Sequence, residues 1–413
     1  MKKTVSLISL GCFRNTYDSG VIIRRFIEEG YVFKEKADRV DTLVVNTCGF
    51  IKEAKEESLE WIKKAVSLKK EGKVSRVVVA GCLVERYEKE LRCFFPLVDE
   101  YRGVEEFPPR ELPFRIGLPR HIGFLKISEG CINNCSYCAI PLIKGTLVSK
   151  DLDSIVEEAK ILENDGVKEL NIIGQDVTSW GKDLYKEIDL TVLVKKILKE
   201  TRRIRWIRII YTHPRHFTSR LIDLIAKEER ICKYIDIPIQ HINNRILKLM
   251  NRCITKKEIM SLIRKIRKKI KGVALRTSVI VGFPGETERE FKELYNFIKE
   301  ARFERLGAFI YSREEKTKAY SLKPQVHHAV KRKRYKEIME LQRKISYEYN
   351  KTFVGRRIEI LADQRDNGVV LGRSQFSAYD IDGLVYIERK GTRPGNFYTL
   401  NIVDALEYDL VAK

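Results

Sequence analysis

This chain of 413 residues lacks any apolar run close to the roughly twenty residues that cross a bilayer, so no membrane association is expected. The opening MKKTVSLISLGC mimics a short lipid-modified signal ending at Cys12. Its apolar part is only seven residues, however, and Ser9 stands three before the cysteine, where such a signal carries Leu. The stretch reads as a first β-strand, and the expected location is cytoplasmic. Acidic residues are in deficit, 57 Asp and Glu against 79 Lys and Arg, for a net charge of +22. That balance favours an anionic partner, RNA or a ribosome ahead of a membrane surface, although a Lys/Glu-rich thermophile surface with a basic drift would look similar. No segment is poor enough in hydrophobics, 44% overall, to be disordered by composition. Disulfides are not expected in a reducing compartment, so the nine cysteines are thiols, metal ligands or buried apolar fillers.

A fourth cysteine is also missing where one would be needed. GCINNCSYCAI, residues 130–140, packs Cys131, Cys135 and Cys138 into eight positions with no further cysteine nearby. Cubane iron–sulfur clusters take four thiolates and structural zinc takes four closed ligands, so one coordination position is left open. A second set is short by the same count. TVSLISLGC, DTLVVNTC and RVVVAGC are apolar runs that each stop just before a cysteine, with helical patterns between them. Strand and helix in alternation imply a parallel α/β sheet, whose ligands bind beyond the carboxyl ends of the strands. Cys12, Cys48 and Cys82 would meet at that edge, or else serve as small buried apolar residues. Cys93, Cys232 and Cys253 share no spacing and read as structural.

From about residue 118 the rhythm restarts with GFLKIS, KELNIIGQD, WIRIIYTHP, YIDIPIQH, ALRTSVIVGFPG and RLGAFIYS, six βα units that predict a barrel or partial barrel. Glu129, Gln175, Asp176, His213, Gln240, His241, Tyr311 and Ser312 fall at the strand ends, the face that carries active sites in such folds. Ser154 with Glu157, and Thr287 with Glu290, have capping-box spacing. Gly282 and Gly285 fit either a turn or a close approach to a cofactor. After a basic helix, RRIEILAD, GVVLGRS, GLVYIER, FYTLNIVDA and YDLVAK predict a small five-stranded β-barrel. Its charges nearly balance, and the basic excess lies in the middle of the chain. The expected domains are 1–117, 118–347 and 350–413, an α/β architecture of N-terminal parallel α/β domain, partial (βα)6 barrel and small antiparallel barrel.

CINNCSYC resembles the C-x3-C-x2-C signature of radical S-adenosylmethionine enzymes, and the full layout is similar to the methylthiotransferase family, whose members end in a TRAM barrel. The resemblance implies that Cys131, Cys135 and Cys138 hold a [4Fe–4S] cluster whose fourth iron is chelated by S-adenosylmethionine. It implies an auxiliary [4Fe–4S] cluster on Cys12, Cys48 and Cys82, and an aromatic, Tyr137, beside the adenine. Two branches exist, one acting on a tRNA adenosine and one on an aspartate of ribosomal protein S-twelve. GQDVTSWGKDLY, RLGAFIYSREEKTKAY, YDIDGLVYI and EYDL resemble the ribosomal branch, with Lys316 standing where relatives carry Gly. The implied reaction adds a methylthio group to the aspartate β-carbon, and uses two molecules of S-adenosylmethionine, an electron donor and a sulfur source. The partner would be S-twelve or the small ribosomal subunit.

Gln175, Gln240 and Arg276 lie on or near barrel strands with polar reach and are candidate contacts to the cosubstrate; each could equally be a satisfied buried polar group. Three other readings stand beside this one: the tRNA enzyme, a non-enzymatic iron–sulfur protein that binds RNA, and a zinc protein using the cysteine loop with a histidine such as His121.

Overall fold

The computed structural model describes residues 2–37, 39–104 and 113–413. In the first part, β1 (Thr4–Ser9), β2 (Val32–Phe33), β3 (Val40–Thr47), β4 (Val74–Gly81) and β5 (Glu100–Arg102) form a parallel sheet in the order β2-β1-β3-β4-β5. Helices α1 (Phe13–Glu28), α2 (Lys52–Lys70) and α3 (Cys82–Phe94) cover both faces. Successive side chains alternate between faces, so the apolar runs supply two cores at once. Val5, Val44, Val78 and Ala80 pack against Ile22, Ile23 and Phe26 of α1. Leu43, Val45, Val77 and Val79 pack against Ile62 of α2 and Leu83 and Leu91 of α3. The short strands β2 and β5 carry too few residues to show a pattern in sequence.

In the second part, β6 (Ile122–Lys126), an antiparallel pair β7 (Ser128–Glu129) and β8 (Val148–Ser149), β9 (Glu169–Ile173), β10 (Trp206–Ile209), β11 (Tyr234–Asp236), β12 (Ala274–Val281) and β13 (Arg305–Ile310) alternate with α4 (Ile140–Ile143), α5 (Leu152–Asn164), α6 (Leu190–Glu200), α7 (Ser219–Lys227), α8 (Asn244–Leu249), α9 (Lys256–Lys269) and α10 (Glu288–Ala301). Two three-stranded parallel sheets, β10-β9-β6 and β11-β12-β13, join at a seam bridged by Ile207 and Ile231. There Ile207 N–H donates to Arg230 O at 2.7 Å and Cys232 N–H to Ile207 O at 3.0 Å. Six strands thus form one open arc, the partial barrel that the sequence predicts. The capping box at Thr287 and Glu290 forms. The one expected at Ser154 does not: Asp151 caps α5 and accepts the Ser154 N–H at 2.9 Å, because an earlier acidic cap lets the helix gain most of a turn.

The third part begins after α11 (His328–Lys351), which packs on β13. Strands β14 (Arg357–Asp366), β15 (Val369–Ser374), β16 (Val385–Ile387), β17 (Phe397–Ala405) and β18 (Leu410–Ala412) close a barrel in the order β14-β15-β16-β18-β17. This barrel seals the bottom of the arc. Trp206, Tyr234 and Ala274 pack on its Leu361 and Ala378. Glu169 of β9 accepts from Arg208 at 2.8 Å and from Arg373 at 2.6 Å, and Arg373 also reaches Asp363 at 2.7 Å. With the bottom plugged, the carboxyl ends of the strands are the face left for chemistry. The first part docks there through the Phe13–Phe124 stack at 4.4 Å and through Glu314, which pairs Lys55 at 2.8 Å and Arg86 at 3.0 Å.

Candidate active site

The loop from β7 to α4 carries the first thiol set. Gly130 opens it with φ +63, and a Cβ there would stand 1.9 Å from Thr146 O, so only glycine fits. Ser136 anchors the loop, its N–H donating to Met250 O at 3.0 Å and its hydroxyl to Leu249 O at 2.7 Å. Each thiol meets an N–H donor. Asn133 donates to Cys131 Sγ at 3.4 Å, Arg252 to Cys135 Sγ at 3.4 Å, and Ile140 to Cys138 Sγ at 3.4 Å. Donors aimed at sulfur stabilise its anionic, metal-bound form.

Cys12, Cys48 and Cys82 do come together. Cys12 is the N-cap of α1 and Cys82 the first residue of α3, where helix dipoles favour an anion. A Cβ on Gly11 would lie 2.8 Å from Cys48 Cβ and 3.0 Å from its Sγ, so the first two loops touch. Cys82 lies close enough to feel both other thiols electrostatically. Burial pushes Cys82 and Cys138 up to about 12 and also raises Cys48 and Cys131. Such thiols become anions when a metal cation offsets the charge. Cys12 differs. Burial raises it most, but the Arg14 guanidinium, whose Nε donates to Cys12 Sγ at 3.4 Å, together with the Asn15 and Arg14 N–H groups outweighs that and leaves it below the ordinary 9.0.

Between the two thiol sets sits a charge network that sequence reasoning only touched at Glu129. Lys126 pairs with Asp18 and Glu129, and Lys144 with Asp18 at 2.8 Å and Glu129 at 3.4 Å. Burial works against the Glu129 carboxylate, yet the two lysines hold it down at about 2. Gln175 Nε2 donates to Glu129 at 2.8 Å, while Gln175 Oε1 is buried with no partner. Gln240 is half-buried with φ +67, a backbone state that non-glycine residues take up only when held. Tyr137 is half-buried beside Met250, Phe283 and Tyr311, whose hydroxyl also lacks a partner. Arg276 is already engaged, by Asp236 at 2.9 Å and Asp382 of the small barrel at 3.7 Å. On β13, Leu306 and Ala308 face the helices, which leaves Phe309 on the other side, 49% exposed.

Other expectations resolve as follows. Asp176 gathers Asn133 at 2.8 Å, Ser179 at 2.6 Å and His216 at 2.8 Å, and its oxygen lies within 4.8 Å of ring nitrogens of His213 and His216. His241 is fully buried and its Nδ1 accepts the Asn243 N–H. Ser312 donates to Glu314 at 2.7 Å. Gly282 and Phe283 N–H groups converge on the Glu286 carboxylate, which makes the GFPGE segment a closed turn. Only Cys232 of the remaining cysteines is buried, so Cys93 and Cys253 are not core fillers. His121 cannot join the cysteine loop. It precedes β6, at the opposite end of that strand, and contacts Asp363 at 3.2 Å. A zinc ion binding thiolates at about 2.3 Å would draw their sulfurs within roughly 4 Å of one another. Among the described residues, neither cysteine triad closes to 4.8 Å, which fits a larger object such as a cluster. The orphaned polar atoms and the sulfur-directed donors fit such a group with a polar cosubstrate beside it. Arg14, Asn133, Arg252 and His216 were missed, because nothing in their spacing sets them apart from other polar residues.

Comparison with known proteins adds an independent observation. Residues 125–298 match the radical SAM superfamily, 4–103 the uncharacterized protein family UPF0004, and 354–413 the TRAM domain. The chain is similar to the ribosomal protein uS12 methylthiotransferase RimO of Caldanaerobacter subterraneus subsp. tengcongensis, 42% identical over 100% of both chains. It is 41% identical to that of Thermoanaerobacter sp., again over 100% of both, and 40% identical to that of Clostridioides difficile over 98% of both. Among solved structures, the radical S-adenosylmethionine methyltransferase TsrM of Kitasatospora setae shares the fold at 14% identity, with TM-score 0.55 over 75% of this chain and 73% of that one.

Proposed function

The chain belongs to the radical SAM methylthiotransferases of the ribosomal protein uS12 family, and from that premise we propose that it adds a methylthio group to the β-carbon of an aspartate of uS12. The observation that supports this reading is that two open-ended thiol triads lie on either side of one charge network, at the end of the barrel away from the small C-terminal barrel. We assign the domains to 1–117, 118–347 and 350–413, with a cytoplasmic location.

Cys131, Cys135 and Cys138 would hold the radical [4Fe–4S] cluster, and Cys12, Cys48 and Cys82 an auxiliary one. When bound with S-adenosylmethionine, these groups supply an organic radical able to take hydrogen from an unactivated C–H bond, and a docking point for sulfur. The chain's own residues bind and orient. Asn133, Arg252 and the Ile140 N–H fix the loop sulfurs and disperse their charge. Gln175 and Gln240 offer polar atoms at strand ends to the cosubstrate's amino and carboxylate groups, and Tyr137 an aromatic face. Arg276, held by two carboxylates, would reach the cosubstrate only from below. Lys126 and Lys144 keep Glu129 ionised, so it orients Gln175 as an acceptor and does not take up a proton. Cys135 is buried and the other five thiols are half-buried, which limits access of water to a reactive site. An electron donor and a sulfur source complete the partners.

The test is anaerobic reconstitution of wild type and two variants, one without Cys131, Cys135 and Cys138, the other without Cys12, Cys48 and Cys82. About eight irons, halved in each variant, are expected for two cubane clusters. A uS12 peptide incubated with S-adenosylmethionine and dithionite should gain the mass of a methylthio group. About four irons, unchanged when Cys12, Cys48 and Cys82 are lost, would remove the two-cluster reading. Cleaved cosubstrate without modified peptide would move the substrate to the assembled subunit or to tRNA.

A further inference from the structure

An aspartate brought between the two thiol sets must leave water as a carboxylate, which is costly unless it meets a cation. We propose that Arg14 is the residue that recognises the substrate carboxylate and so selects aspartate. This inference rests on the aspartate reading of the site.

The buried and half-buried cations around the cleft can be taken one by one. Lys126 and Lys144 are engaged by Asp18 and Glu129. Arg276 is engaged by Asp236 and Asp382, and Lys150 by Glu158 at 2.6 Å. Arg252 donates to Cys135 Sγ and to Pro238 O at 2.6 Å, behind the cysteine loop. Arg14, like Arg252, is met by a thiol and a carbonyl and by no carboxylate, but it reaches towards both thiol sets. Its partners are Cys12 Sγ at 3.4 Å, the Gly174 carbonyl at 3.4 Å and the face of Tyr211 at 4.7 Å. Among the described residues it makes no ion pair with a carboxylate. Nε and one Nη1 hydrogen are used at long range, and among the described residues Nη2 meets no acceptor.

Its placement suits the role. Arg14 is in the first turn of α1, two residues after Cys12, and bonds to the carbonyl immediately before Gln175. It also acts electrostatically on Cys138 of the other triad, so it stands between the two sets and close to the expected cosubstrate. The side chain is half-buried, sheltered but reachable. Tyr211 below it is held at φ +65, with its N–H donating to Asp236 at 3.0 Å and its carbonyl accepting from Val177 at 3.0 Å. A strained residue held this firmly fixes the ring. A guanidinium stacked on a fixed ring keeps its in-plane N–H edge free, the geometry that takes a carboxylate in two parallel hydrogen bonds. The amide of asparagine could not accept both.

The test is equilibrium binding of two labelled uS12 peptides, one with the target aspartate and one with asparagine there, to reconstituted protein without reductant. Iron content is measured on every variant. Wild type should prefer the aspartate peptide by about 30-fold or more. Arg14→Gln keeps a donor for Cys12 Sγ but loses the charge, and should bind both peptides at the asparagine level. Arg14→Lys should recover part of the preference. A preference that survives in Arg14→Gln overturns the inference and leaves the ribosomal reading standing. So does a wild type that modifies the aspartate peptide but binds both equally. No binding and no modified peptide in wild type, with the assembled small subunit also left unmodified, would remove the aspartate reading, and this inference with it.

Discussion

Replacing Arg373 by leucine should loosen the small barrel from the bottom of the arc. Arg373 is fully buried and donates to two carboxylates, Glu169 at 2.6 Å and Asp363 at 2.7 Å. Burial works against the Glu169 carboxylate, but Arg373 and then Arg208 hold it at about 2, against an ordinary 4.5. At about 1.36 kcal/mol per pH unit that gap corresponds to roughly 3 kcal/mol. Arg373 is the larger of the two cationic contributions. Its loss therefore removes more than half of that sum and also leaves Asp363 buried with only His121. The total is about 3–5 kcal/mol, the range for removing one partner of a buried pair. For a chain of this size the melting temperature should fall by roughly 6–12 °C, with new proteolytic cleavage between α11 and β14. The sign with pH is also set. A depressed carboxylate stabilises the fold above pH 4.5, and that contribution is lost as pH falls from 4.5 towards 2. The gap between wild type and variant should narrow over that window. A melt within about 2 °C of wild type, with unchanged cleavage, would refute the assignment of this network as the docking element.

Gly130→Ala should cost roughly 2 kcal/mol or more through the left-handed backbone and the clash with Thr146 O; reconstituted iron should fall by about half, and full loading would contradict it. Glu314→Gln strands Lys55 and Arg86 and should weaken docking of the first domain by about 2–4 kcal/mol. The expected readout is less modified peptide per cosubstrate cleaved, and an unchanged ratio would show that the clamp does not position the auxiliary site. Gln240→Ala should raise the KM for S-adenosylmethionine about tenfold with little change in kcat; an unchanged KM would take Gln240 out of the cosubstrate site.

Legibility followed range along the chain. Three thiols within eight positions announce their chemistry locally, and continuous apolar runs, buried on both faces, announce the three long strands before Cys12, Cys48 and Cys82. The five short runs after residue 350 closed as a barrel because each carries a repeating inward face. The start of α5 was misread because Asp151 and Ser154 are both good caps, and only the structure decides which backbone N–H is left to satisfy. Arg276 illustrates the same limit. Strand position gave it polar reach, but Asp236 and Asp382, 40 and 106 residues away, decide where its charge is used.

Composition, cysteine spacing and hydrophobic period by themselves determined the parallel first domain, the six-unit barrel, the small closing barrel and the compact thiol group of Cys131, Cys135 and Cys138, because each rests on residues close in the chain. Tertiary structure alone decided which end of the arc is sealed, that His121 belongs to the sealed end, and that Arg14 lies against Gly174, 160 residues on. Those facts depend on where buried charges find partners. A charge desolvated on folding must be met by whatever the packed chain brings beside it, and no local pattern encodes that.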